Sequence, residues 1–120
     1  MIIELIIKIY LEEKLDVPVF LTKPTDQSVK DYCLIEKTGG SPRENFLNQS
    51  TIIIQSYGET MQDAATLNEL VKDEMQGNGI DKFGIASETE ISSCMCNTDY
   101  NFTDKTKKEY RYQAVFDMYY

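Results

Sequence analysis

The sequence predicts an α+β fold: an antiparallel or mixed β-sheet of about four to five strands, packed by an N-terminal helix and a central helix. Three observations predict it. Residues 109–120 alternate with period two, placing Tyr110, Tyr112, Ala114, Phe116, Met118 and Tyr120 on one face. Arg111, Gln113, Val115, Asp117 and Tyr119 fall on the other. Two stretches, 2–15 and 60–76, instead repeat apolar residues at helical spacing. Around them lie short runs rich in β-branched and aromatic residues, bounded by glycine, proline and polar clusters. The final strand cannot bury its apolar face alone, so the rest of the chain must lie over and beside it.

In chain order, residues 2–15 read as an amphipathic helix. Glu4, Lys8 and Glu12 recur every four residues, a polar stripe whose alternating charges can pair. Isoleucines, leucines and Tyr10 cover the remaining surface, an arc wide enough for deep packing or for a partner. Asp16 and Pro18 end the helix, because proline removes a donor and disfavours helix in the residue before it. Residues 17–21 form a short strand, and the polar stretch 22–30 around Pro24 a loop. Residues 31–38 read as the next strand, stopped by Gly39 and Gly40, with a polar connection over 41–49. Ser50 to Tyr57, holding three consecutive isoleucines, is a strand covered at least partly on both faces. Gly58 breaks it, and Thr60 caps a helix reaching about Gln76, with Asp63 three positions on as in a capping box. Met61, Ala64, Ala65, Leu67, Leu70, Val71 and Met75 form its expected buried side, and Gly77 and Gly79 end it. Residues 88–97 read as a strand with Ile91, Ser93 and Met95 on one side and Ser92, Cys94 and Cys96 on the other. Residues 98–108 read as a turn-rich connection into the last strand.

The 120 residues suit one domain, spanning 1–120, and the 42% hydrophobic and 27% charged content is that of a soluble globular protein. Twelve basic against 20 acidic residues give a net charge of -8, which argues against a nucleic-acid-binding surface. Three cysteines do not make a disulfide framework, and free thiols suit a reducing interior. Cys33 reads as a small buried apolar residue; Cys94 and Cys96, two apart on one face of a strand, could bridge only under strain. Glu4 stands where a secretory signal needs positive charge, and Glu4 and Lys8 interrupt a run too short to span a bilayer.

Chemical motifs are sparse. Gly39-Gly40-Ser41 follows a strand but lacks the downstream Gly-Lys-Ser/Thr of a phosphate loop, so it reads as a turn. Asp99, Asn101 and Thr103 mimic the first ligands of a calcium loop. Asp104 stands where glycine is needed, however, and Tyr110 where a bidentate glutamate is needed. Without histidine, neither a zinc site nor a cysteine or serine nucleophile finds its usual partner. The reading is therefore not an enzyme, with no cofactor and no metal. Lys105, Lys107, Lys108 and Arg111 form the single basic cluster. Either they keep a hairpin soluble and blunt a strand edge, or they meet an acidic face of a neighbouring copy.

Several stretches taken together resemble a known family. These are Ile35 to Ser41 with Arg43-Glu44-Asn45; Ile54-Gln55-Ser56-Tyr57; Ala64-Ala65 with Leu67-Asn68 and Val71-Lys72; and Tyr100 to Asp104 leading into Tyr110 to Ala114. Their order and spacing resemble the tail-terminator, or tail-completion, minor tail proteins of long-tailed bacteriophages and prophages. The resemblance implies a structural virion protein that forms a homo-oligomeric, typically hexameric, ring on the head-proximal end of the tail tube. Such a ring stops tube growth and offers the head–tail connector a joining surface. DNA passes through it without specific binding, no membrane is involved, and assembly takes place in the cytoplasm of the bacterial host. By analogy the loop holding Gly39, Gly40, Arg43, Glu44 and Asn45, together with the strand edges, faces neighbouring copies. A head-closure or neck protein is the near alternative, and a small acidic ligand-binding or enzymatic domain the distant one.

Overall fold

The strand with the clearest alternation lies inside the sheet, and the elements around it follow the expected order. The computed structural model describes residues 2–42, 48–77, 79–81, 83, 89 and 91–120. They form α1 (Ile3–Lys14), β1 (Val19–Phe20), β2 (Tyr32–Pro42), β3 (Asn48–Gly58), α2 (Met61–Gly77), β4 (Ser93–Asn101) and β5 (Tyr110–Tyr119). The five strands make one mixed sheet in the order β1-β2-β3-β5-β4, antiparallel except for the β1–β2 pair. The fold is α+β, with N-terminal and central helices packed on one sheet.

Both helices pack on one face. Ile6, Ile7, Tyr10 and Leu11 of α1 and Ala64, Leu67, Val71 and Met75 of α2 meet Cys33 and Ile35 of β2, Ile52 and Ile54 of β3, and Ala114, Phe116 and Met118 of β5. Of the even positions of the last strand, Ala114, Phe116 and Met118 are thus core positions, as the alternation requires, while Tyr110, Tyr112 and Tyr120 are half-buried. The wide apolar arc of α1 is mostly consumed by this packing; Ile2, just before the helix, stays exposed. Tyr10 crosses between the helices, its hydroxyl donating to the Glu74 carbonyl at 3.0 Å. Burial and the neighbouring Glu74 carboxylate push its phenol up to about 12.

Helix α2 starts as expected, with the Asp63 amide donating to Thr60 Oγ1 at 3.1 Å. Its approach to the end of β3 requires Gly58, where a Cβ would come within 2.4 Å of the Ala64 amide nitrogen. One flank of α2 fastens β4. Asn68 Nδ2 and Lys72 Nζ both donate to Asp99 Oδ2, at 3.1 and 2.9 Å, and Gln76 Oε1 accepts the Cys96 amide at 2.9 Å. Residues 68, 72 and 76 are spaced four apart, so one stripe of the helix reads one strand. The Cys96 bond falls where β4 shifts register between Cys96 and Thr98, supplying an acceptor at the irregularity.

Several expectations are corrected. Gly39 and Gly40 do not stop β2, which runs on to Pro42; the ladder with β3 needs only backbone groups, and a register shift between Lys37 and Gly39 absorbs the irregularity. Leu70 is 49% exposed, and Asn68 takes the buried position because the Asp99 side of α2 demands a polar partner. Residues 98–101 continue β4 instead of opening the turn, which is confined to 104–109. Ile91 precedes β4 and enters the core, whereas Met95 is 67% exposed on the opposite face.

Candidate interaction surface

The second face of the sheet carries no described helix, and its alternating residues build a continuous side-chain layer. Phe20 and Tyr32 meet edge to face at 5.7 Å, and Tyr32 stacks on Tyr57 at 4.3 Å. Arg111 lies over the Phe102 ring at 4.4 Å, and Phe102 meets Tyr100 edge to face at 5.7 Å. Arg111 also joins Tyr57 to this row, its Nη1 donating to the Tyr57 hydroxyl at 3.3 Å. A hydrogen-bonded chain runs alongside: Tyr57 Oη to Gln55 Oε1 at 2.7 Å, Gln55 Nε2 to Gln113 Oε1 at 3.2 Å, and Gln113 Nε2 to Tyr100 Oη at 2.7 Å. Burial, helped by the neighbouring Tyr57 and Glu109, raises the Tyr32 phenol well above its ordinary range. Met95, Tyr100 and Phe102 on this side are exposed.

At one end of the sheet the loop after β1 and the β4–β5 hairpin enclose an open cleft of about 600 Å³. Tyr32 and Tyr57 line it together with Lys23, Lys30, Lys107 and Lys108. The hairpin is closed by paired backbone bonds between Asp104 and Glu109 at 2.9 and 3.0 Å. Asp104 Oδ1 then accepts the Thr106 and Lys107 amides, at 3.1 and 3.2 Å, which fixes the loop from inside. Lys108 holds φ at 53°, the left-handed region that favours glycine. Glu109 binds Lys23 at 3.0 Å and Arg111 at 2.7 Å. Asp26 Oδ1 accepts both the amide and the hydroxyl of Ser28, which lowers its pKa. Among the described residues no ion pair forms at Lys30, Lys107 or Lys108.

Of the residues singled out from sequence, Lys105, Lys107 and Lys108 sit together on this hairpin, and Lys107 and Lys108 line the cleft. Gly39 and Gly40 lie in β2, paired with Thr51 and Ser50, at the other end of the sheet. Arg43, Glu44 and Asn45 lie outside the described residues. The calcium-like trio is committed elsewhere: Asp99 to α2, and Asn101 Oδ1 to the Thr103 amide at 3.0 Å. Among the described residues no group of three or more His, Cys, Asp or Glu is placed to hold a metal ion. Lys23 and Lys30, which complete the cleft, carry no signal in the sequence beyond membership of a polar loop. No protein-family model matches the chain, and no curated protein matches its sequence.

Proposed function

We propose that this chain is a structural virion-assembly protein of the tail-terminator kind. It associates with itself into a ring on the head-proximal end of a phage tail tube, ends tube growth and presents a joining surface to the connector. The observation that carries this reading is the helix-free face with its exposed Met95, Tyr100 and Phe102, beside a lysine-bearing hairpin. A broad surface of aromatic, methionine and arginine side chains suits a protein partner better than a small substrate. The ordered sequence stretches described above point the same way. DNA crosses such a ring without specific binding, which the net charge of -8 favours.

The test is light scattering on a sizing column across a wide concentration range, with negative-stain imaging, repeated after addition of purified tail tubes. Closed rings with a central hole, alone or on tube ends, are expected. A strict monomer that neither binds tubes nor limits their length overturns the proposal. A second reading, a ligand-binding domain, is favoured by the cleft, and would take the place of the first if a small anion bound there and no self-association occurred.

A further inference from the structure

We propose that the lysine-lined cleft receives the acidic C-terminal end of α2 from a second copy, so that protomers join head to tail. This rests on the self-association proposed above and names its contact.

The cleft is a preformed acceptor for carboxylates. Of the two acidic residues that line it, Glu109 is paired with Lys23 and Arg111, while Asp26 keeps its charge and accepts two bonds from Ser28, leaving the lysines in excess. Lys30, Lys107 and Lys108 remain without an ion pair among the described residues, over a floor of two stacked tyrosines. The hairpin is held in a single shape by Asp104, and Lys108 adopts a backbone conformation that a glycine would adopt more easily. A lysine kept at a strained position beside an unneutralised cleft fits a role for its side chain.

The complementary charge lies at the other end of the molecule. Helix α2 begins against Gly58, at the cleft end, and its 17 residues carry the chain about 25 Å, to where β4 starts. Glu74 falls near its C-terminus, keeping its charge while accepting the Tyr10 hydroxyl at 3.3 Å, and the last turn holds no basic residue. The negative end of the helix dipole adds to this charge, and Asp81 follows, exposed. The molecule is 46 Å long and 25 × 23 Å across, so the cleft and this acidic end are well separated. A contact between unlike ends is heterologous: it closes into a ring when the rotation allows and otherwise continues as a filament. Single exposed ion pairs contribute little, so the contact needs the set of lysines acting together.

The experiment is a charge-swap pair studied by sedimentation velocity at low and high salt. Lys107→Glu/Lys108→Glu and Glu74→Lys/Asp81→Lys are each expected to weaken self-association roughly tenfold or more, and a mixture of the two is expected to restore it. Circular dichroism establishes that each variant is folded. If Glu74→Lys/Asp81→Lys misfolds, Asp81→Lys alone replaces it. Failure of the mixture to regain association overturns the contact. Variants that assemble as well as wild type also overturn it, while leaving self-assembly standing. Wild type that stays monomeric at its solubility limit in low salt, even with tail tubes added, removes both. Inorganic pyrophosphate bound by wild type and not by the lysine variant, with association unchanged, assigns the cleft to small anions and overturns the proposal.

Discussion

Gln55 of β3 and Gln113 of β5 sit directly opposite one another, joined by a 3.2 Å hydrogen bond on the sheet face that no described helix covers. They are only 9% and 7% exposed, because Tyr57, Tyr100 and Arg111 close around them. Gln113→Leu therefore leaves Gln55 Nε2 without its acceptor, and a loss of about 1–3 kcal/mol is expected in urea denaturation. Gln55→Leu/Gln113→Leu removes both members, and its loss is expected to fall short of the sum of the two single losses, with the Tyr57 hydroxyl then lacking its acceptor. Simple additivity of the two single changes would mean that the pair is not coupled.

Gly58 is required by a close approach. A methyl there meets the Ala64 amide nitrogen and the Asp63 side chain, at 2.4 and 2.8 Å, where α2 departs from β3. Gly58→Ala is expected to destabilise by about 1–3 kcal/mol. An unchanged denaturation midpoint would place α2 farther from the strand than described.

Phe116 is fully buried under the helices at the middle of β5. Phe116→Ala is expected to lose about 3–5 kcal/mol in equilibrium unfolding. A loss below about 1 kcal/mol would put the even face of this strand in solvent.

Lys108 gives a prediction of the opposite sign. The left-handed backbone disfavours a side chain by more than glycine's extra flexibility in the unfolded chain, so Lys108→Gly is expected to stabilise by roughly 1 kcal/mol. If the lysine serves a partner, the same change weakens association while raising the melting temperature. That divergence separates a binding role from a structural one.

The pH dependence follows from buried neutral groups. Burial pushes the Cys33 and Cys94 thiols from an ordinary 9.0 up to about 12, and with Glu74 it moves Tyr10 from 10.0 to about 12. Between these limits the unfolded chain releases protons that the folded chain keeps. Their stabilisation is therefore complete below pH 9.0 and falls as pH rises toward about 12. Urea midpoints are expected to drop between about pH 9 and about pH 12. A flat profile would mean that these groups are not buried.

The fold was legible wherever one face of an element is buried and the other is not. Residues 110–119 declare themselves by alternation because Ala114, Phe116 and Met118 must face the helices. The reading failed where polarity is satisfied by tertiary partners. Leu70 looked buried and Asn68 did not, since nothing local announces that Asp99 lies against that flank of α2. Gly39 and Gly40 looked like a stop, but a backbone ladder tolerates residues without side chains. The lysine hairpin was visible as a charge cluster. The cleft was not, because Lys23 and Lys30 reach it only through the pairing of β1 with β2 and of β2 with β3.

The two outer strands carry a consequence for how this protein can meet others. One border of the sheet is β1 for two residues and, among the described residues, β2 from Ile35 to Pro42; the other is β4, broken in register at Cys96–Thr98 and held from behind by α2. Register shifts at Lys37–Gly39 and at Cys96–Thr98 interrupt both borders, so each presents an irregular row of amides and carbonyls as a template for strand-by-strand growth. Open-ended extension of the β-structure is thus hindered by irregular backbone at both borders, which leaves more of the recognition of a partner to side-chain chemistry.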